Sequence, residues 1–496
     1  MGEASECLFE PEFNRAIKVC EQDQRITSNA GVLLLREADH RLGLVNSLAA
    51  GMVDARDPAK LRYTLVELLR ERLYVLGQGY AAQDDVDRLA HDPAVRMAVW
   101  DRPGERVLDE RLASQPTQSR LLDALASTTT NREALRAALP DWVERHLRAR
   151  QGGDHAARRG TIDVDSFPIE VHGHQAGAAY NGYYRKTIYH PLVASFSVNG
   201  DYDSSRLGNG FVHAILRKGN AAAAEGAKRF LRTVIDRCQG LAQTLDIRID
   251  AGLTHGDVMD ALTIQGVRFL GRLKSNTVLD RLAEPYLSRP PGRPPKEGYE
   301  YVIELGSHQA DSWKLPQRLI LVIVDRPDRH TGQLRLFPRH FFLVTNWKGS
   351  ELSAWDALAH YRRRGTFEDR LGEFNQAVKP YFSSPKFREN EAALLLSLLA
   401  FNLTSMLRAE VEQIAGHGWD LNRFQLMLLK AGGRVTKRSR RLSLHLAQAV
   451  APLWKPLVNR LCRWRLSPRW SEPRPPKHRL WQPPPPHAHL SEVLRL

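Results

Sequence analysis

One stretch limits what the rest of the chain can be: "AALLLSLLAFNLTSML", Ala392 to Leu407, is the longest apolar run in the sequence. A helix that is apolar all round has to be covered by lipid or by protein. This run falls short of the roughly 20 residues that a spanning helix needs, and Asn402, Thr404 and Ser405 interrupt it. The expectation is therefore a buried core helix, with no membrane partner. At 496 residues and 43% hydrophobic content the chain is long enough for about two or three domains around real cores.

The acidic start "MGEASECLFE" lacks the basic and apolar segments of a secretory signal, and Ser5 and Glu6 match the myristoylation pattern poorly. Cys7, Cys20, Cys238 and Cys462 are scattered without C-x-x-C spacing, so neither a disulfide framework nor a zinc ribbon is expected. A reduced, cytoplasmic protein is the reading. Lys and Arg outnumber Asp and Glu by 71 to 56, a net charge of +15 that favours a polyanionic partner, nucleic acid or an anionic membrane surface.

Hydrophobic periodicity divides the chain. Residues 1–155 read as helical. In "DPAKLRYTLVELLRERLYVLGQGY", Asp57 is placed as an N-cap before Pro58, Leu61 through Leu76 recur at helical steps, and Gly77 and Gly79 end the run. "HDPAVRMAVW" carries a second start signal, and "RQGGDHAARRG" reads as a linker. From 156 to 274 strands come first: "TIDVDSFPIEV" and "TIYHPLVASFSV", then an Ala-rich helical stretch from Asn220 to Thr244. A strand ending at Asp250 follows, then a helix with Thr254 and Asp257 placed as a capping box, then the strand "VRFLGRL". That order predicts an α/β layered domain with a mixed sheet. Segment 275–345, with "LILVIVDR" and "HFFLVTNW", reads as an inserted β-rich subdomain. Helices return over 346–410, a basic helical region containing "GRVTKRSRRLSL" spans 411–470, and 471–496 is a Pro-rich tail whose composition predicts disorder.

Acids in three stretches attract attention. In "IDVDSF", Asp163 and Asp165 leave one face of a strand, where they repel one another unless a cation or a Lys or Arg side chain sits between them. A strand end with one acid capping a turn explains the same residues equally well. Asp250 lies at the carboxyl end of an alternating strand, where ligand sites of open α/β sheets gather. In "HYRRRGTFEDRLGEFN", one continuous helix places Tyr361, Arg364, Glu368 and Asn375 within roughly 60° of one another. Arg362, Arg363, Asp369 and Glu373 then read as solvated charge. Gly365 weakens the continuous helix, and Thr366 with Asp369 could cap a fresh start, which would make Glu368 a first-turn acid. Separated carboxylates from two strand ends and a helix suit divalent-metal phosphoryl chemistry, because Mg²⁺ and Mn²⁺ take hard oxygen ligands.

"IDVDSF", "GHQAGAAYNGYY", "HPLVASF", "LRKGN", "IRIDAGL" and "YRRRGTFEDRLGEFN" follow one another in an order that resembles the DDE transposases of bacterial insertion sequences, in particular their 1380 family and more distantly their family four group. The resemblance runs from about residue 10 to 465. It implies a ribonuclease H-like catalytic core with a β-rich insertion, in which Asp165, Asp250 and Glu368 are the catalytic acids and metal ligands, with Asp163 as the alternative first acid. Two Mg²⁺ ions, or Mn²⁺, are the implied cofactors. Tyr361, Arg364 and Glu368 satisfy the related group's signature around the last acid, but its Lys position is Asn375; Lys379 is the candidate replacement. A Tyr and an Arg beside the acid suit DNA ends, Arg offering a fork to a phosphate.

Further readings carry less. Arg434, Lys437, Arg438, Arg440 and Arg441 form a candidate phosphate-binding surface. Trp313 and Trp347 could stack on an unpaired base, although core aromatics are the commoner explanation. His172 and His174 have metal-site spacing without a supporting His or Cys pair. No P-loop is present. The expected function is cut-and-paste transposition by a bacterial enzyme: cleavage at terminal inverted repeats and transfer into target DNA by a homodimer. The alternatives are a metal-dependent nuclease without strand transfer and an inactive DNA-binding descendant.

Overall fold

The computed structural model describes residues 7–470, apart from 15, 21–24, 152–155, 199–208, 290, 292–296, 329–330, 334–336, 440 and 468–469. Its centre is an eight-stranded mixed sheet. The strands are β1 (Ala157–Ser166), β2 (Leu192–Val198), β3 (Gly210–Ile215), β4 (Ala242–Ile249), β5 (Arg268–Arg272), β6 (Tyr299–His308), β7 (Gln317–Asp325) and β8 (Arg339–Thr345). They lie in the order β6-β7-β8-β5-β4-β1-β2-β3. β4 runs parallel to both β1 and β5, and every other neighbouring pair is antiparallel.

Alternation along β1 and β4 sorts the two faces. Ile162, Val164, Ile247 and Ile249 join Phe230, Leu231 and Val234 of helix α5 (Ala227–Cys238) and Val258, Met259 and Leu262 of α6 (Gly256–Ile264) in one buried core. The opposite face of these two strands is polar and is covered by α7 (Ala354–Arg362).

The apolar run lies within α9 (Phe387–Ala415). This helix is long and apolar enough to cross a membrane, and its most apolar window is entirely buried inside the protein. It packs against α1 (Val32–Leu42), α2 (Leu65–Gly77), α3 (Gln115–Ser127), α4 (Thr129–Gln151) and α10 (Ala451–Leu461), and against edge strand β3. The polar residues within it have separate fates. Asn402 accepts from the Phe211 amide at 2.9 Å and donates to the Phe211 carbonyl at 2.8 Å, so one side chain pairs both backbone groups of an edge-strand residue. Thr404 donates to the Ala400 carbonyl at 2.8 Å within its own helix. The buried Ser405 hydroxyl has no protein partner.

Several local expectations are corrected. Asp57 caps only a short 3₁₀ turn, Pro58–Lys60, and α2 starts at Leu65 behind a capping box of Thr64 and Glu67. The helical stretch expected from Asn220 to Thr244 stops at Cys238, because "LAQTLDIRI" alternates and pairs as β4. Thr254 bonds the Asp250 carbonyl instead of capping α6, whose N-cap position is His255. The β-type runs between 275 and 345 form no sheet of their own, since β8 pairs with β5 and carries β7 and β6 into the central sheet. "GRVTKRSRRLSL" is a hairpin of Gly433–Arg438 and Arg441–Leu446, paired with strand Arg25–Thr27, where a helical region was expected. Most of the linker, part of the "SRPPGRPPKEG" loop, Arg440 and the tail lie outside the described residues.

Replacing Asn402 by Leu strips partners from two buried backbone groups, each worth about 1–3 kcal/mol when left unpaired. Urea unfolding of Asn402→Leu is expected to show a loss of about 2–5 kcal/mol, while Ser405→Ala, which removes an unpartnered hydroxyl, stays near neutral or stabilises.

Candidate active site

The polar face of β1 and β4 is a ladder of charges. Arg159, Thr161, Asp163 and Asp165 alternate along β1; Asp246 and Arg248 alternate along β4, and Asp250 follows its last residue. Charges can be buried at such a face only if each is paired and hydrogen-bonded. Arg248 and Asp163, both fully buried, pair through two bonds at 2.8 and 2.6 Å, and Arg248 also donates to the His360 carbonyl at 2.7 Å. Asp246 is bonded to Arg159 at 2.8 Å, to Thr161 at 3.0 Å and to His360 Nε2 at 2.8 Å. Burial alone would raise the Asp246 carboxyl, but the bonds from His360 and Arg159 bring it below its ordinary value. The ladder thus ties α7 to the sheet by both the backbone and the side chain of His360. Asp163, the alternative first acid, is the one forked by Arg248.

The ladder's open end holds Asp165 and Asp250. Ile249 lies opposite Val164 in parallel register, which brings Asp250 level with Asp165 on the neighbouring strand. Asp250 accepts from the Leu253 amide at 3.0 Å, and a side chain at Gly252 would press within 3.0 Å of its carboxylate, so the small residue after the strand leaves that group room. Burial raises the Asp165 carboxyl to about 6; the Arg364 cation opposes this shift and the Asp250 charge adds to it.

"HYRRRGTFEDRLGEFN" is two helices. α7 ends at Arg362 and α8 (Gly365–Ala377) begins after the break, with Thr366 bonding the Arg363 carbonyl and no side-chain cap at Arg364. The break sets Arg364 between two acids: it donates to Asp165 at 2.6 Å and to Glu368, which is exposed in the first turn of α8. Tyr361, in the last turn of α7, has its phenol pushed up to about 12, chiefly by burial. Arg362 pairs with Glu300, and Asp369 is exposed. Glu373 is not solvated: it is bonded by Arg370, Arg408 and the Leu421 amide.

Asp165, Asp250 and Glu368 present only carboxylate oxygens, a donor set chemically suited to a hard divalent cation. Among the described residues, however, no three acid, His or Cys side chains are gathered closely enough to hold one ion. Glu368 stands apart, tethered through Arg364. Here the guanidinium supplies the positive charge between two carboxylates.

The remaining candidates lie elsewhere. Lys379 is exposed at φ +47°, past the end of α8, so the helical spacing that aligned it with Glu368 does not apply. Arg434, Lys437, Arg438 and Arg441 are exposed on the C-terminal hairpin, with Lys437 paired to Glu105. The guanidiniums of Arg159 and Arg268 each lie over the Trp347 ring, at 4.9 and 5.4 Å from its centroid, and Trp313 packs edge-on to His308 beside the sheet core. His172 and His174 are exposed. Sequence reading missed Arg248, Asp246 and His360, although the alternation in "LDIRID" already puts Asp246, Arg248 and Asp250 on one face.

Two carboxylates at adjacent strand ends offer the kind of hard oxygen donors that divalent-metal phosphoryl chemistry uses. The chain belongs to the family described as transposase DDE domain group 1, whose sequence profile matches residues 9–464. It is therefore a transposase, acting on DNA with divalent metal. No curated protein matches it in sequence. Among solved structures, the cryo-EM structure of the piggyBac transposase synaptic complex with hairpin DNA is similar at 12% identity and a TM-score of 0.41, over 80% of this chain and 80% of that one.

The raised Asp165 carboxyl has a consequence for pH. Its folded value lies above the unfolded one, so its contribution to the stability of the metal-free protein is present at about pH 4 and is lost as pH rises through 6. A cation bound by this carboxylate must displace that proton below pH 6. Calorimetry with Mn²⁺ is expected to show affinity falling up to about tenfold per pH unit below 6 and flat above it; affinity constant from pH 7 to 5 contradicts this.

Proposed function

We propose that the protein is a cut-and-paste transposase of the 1380 type, in which Asp165, Asp250 and Glu368 hold two Mg²⁺ ions, or Mn²⁺, on a ribonuclease H-like core. The observation carrying this reading is the level placement of Asp165 and Asp250 on adjacent parallel strands, with Glu368 linked to Asp165 through Arg364. The core strands β3-β2-β1-β4-β5, of which β1, β4 and β5 are parallel, support it. Bound divalent ions would supply activation of the attacking oxygen and stabilisation of the leaving one. The chain's own residues hold and orient the site: the buried ladder fixes both strand ends, and the break between α7 and α8 presents Arg364 and Glu368 to them. Arg364, released from one acid, is suited to fork onto a phosphate. Cleavage exposes a 3′-OH, and the same site directs that hydroxyl at a target phosphodiester. Bringing two element ends together requires at least two copies of the chain.

In this reading the helical N-terminal region contacts the terminal inverted repeats. A cleft of about 520 Å³ there is lined by Arg56, Lys60, Arg62, Arg111 and Arg120, with Asp57 as the one acid among its lining residues. It lies at the start of α3, and the segment leading into it meets the basic C-terminal hairpin through Lys437 and Glu105. These cations suit a DNA backbone.

Purified protein incubated with Mg²⁺ and DNA from either side of its reading frame is expected to cut and then join an end to target DNA; cutting without joining leaves a nuclease. Asp165→Asn, Asp250→Asn and Glu368→Gln are each expected to lower cleavage by about 10²-fold or more while DNA binding persists. Unchanged cleavage in all three sinks the assignment and favours a DNA-binding descendant. Arg111→Ala with Arg120→Ala is expected to weaken binding evenly across sequences and to flatten the salt dependence by about two phosphate contacts, measured by fluorescence anisotropy across a salt series.

A further inference from the structure

A small three-stranded sheet stands beyond the Asp165 end of β1, made of Ile169–Glu170, Ala179–Asn181 and Lys186–Tyr189. Ile169 pairs with Tyr189, and just inside that pair Ser166 pairs with Leu192, so the small sheet continues the β1–β2 ladder past the acid. Its hairpin turn is firmly built. The Asn181 side chain accepts from the Tyr183 and Tyr184 amides at 3.1 and 3.4 Å and donates to the Gly219 carbonyl at 2.9 Å. The Asn181 carbonyl accepts from Arg185, which closes the turn at φ +54°.

This turn presents Tyr183 to solvent with 87% of its surface exposed. No core claims the ring; its aromatic neighbour is Tyr184, edge-on at 4.9 Å. Tyr184 is half-buried and packs edge-on at 5.8 Å against His190, two residues before the Leu192 that pairs beside Asp165. The charges of Asp165 and Asp250 reach its phenol and, with burial as the larger cause, raise it. Arg185 and Lys218 are exposed on the same turn and on the loop that anchors it.

An exposed ring on a rigid turn, beside cations and at the mouth of a site for DNA, meets a ligand that offers a flat π face and a phosphate. Bases within a duplex have both faces covered, whereas an unpaired base has a face to give. We propose that Tyr183, backed by Tyr184 and the Asn181 turn, stacks on an unpaired nucleobase adjoining the phosphate that enters at Asp165 and Asp250. The inference rests on the reading of those two acids as the reacting site.

The test uses the full chain with Ca²⁺ in place of Mg²⁺ and a duplex with a short unpaired end carrying 2-aminopurine. Wild type, Tyr183→Phe and Tyr183→Trp are expected to quench the probe. Tyr183→Ala should not quench it, and its affinity for the unpaired end should fall about 5- to 100-fold, with affinity for the fully paired duplex unchanged. No quenching by wild type, equal quenching by Tyr183→Ala, or equal loss of affinity for both DNAs overturns the proposal. None of these readouts requires cleavage. A failed stack with intact cutting therefore leaves the transposase reading standing, and the acid substitutions test that reading separately.

Discussion

The buried pair of Arg248 and Asp163 is the contact on which the site depends. Two unit charges with no solvent access could not remain between a sheet and a helix unless their hydrogen-bonding groups were met. The fork of Arg248 on Asp163 meets two, and the His360 carbonyl takes another donor. The pair thereby fixes the spacing of β1 and β4 at the strand ends and the seat of α7 above them. Asp165, Asp250 and Arg364 are positioned by that framework. Removing one partner takes the forked, charge-assisted bonds from the other beneath α7.

Much of this was legible in the residues. Period-two alternation in "IDVDSF" and "LDIRID" announced strands with one polar face, and the apolar run announced a covered helix. The misreadings have physical causes. Ala-rich sequence has high helix propensity, so "LAQT" reads as the end of the preceding helix, whereas sheet pairing claims Ala242 to Thr244 for β4. Basic residues in "GRVTKRSRRLSL" mask a two-residue alternation that pairs as a hairpin, with Arg25–Thr27, some four hundred positions away, as its third strand. Helical spacing across "HYRRRGTFEDRLGEFN" presumes one axis. The break at Arg363 and Arg364 changes the axis, joins Arg364 to Asp165 and takes Lys379 off the shared face.

Long-range partnership was the part the sequence could not show. Nothing local marks Asp163 as the partner of a buried arginine from the next strand and Asp165 as the partner of Arg364 from the break between two helices, although the two acids are neighbours in one strand. Nor does local sequence reveal that Glu373, in the same helix as Glu368, is drawn inward by Arg408. Two acids in one segment differ in surroundings because of what lies opposite each.

The Asn402 contact with β3 has a further consequence. β3 ends the sheet, and an edge strand offers unpaired amides and carbonyls to any extended chain that meets it. By engaging both backbone groups of Phe211, a side chain from the central helix stands in for the missing neighbour strand. The helix that the sequence required to be covered thus becomes a cover itself, closing at Phe211 a position where copies of the protein could otherwise zip together.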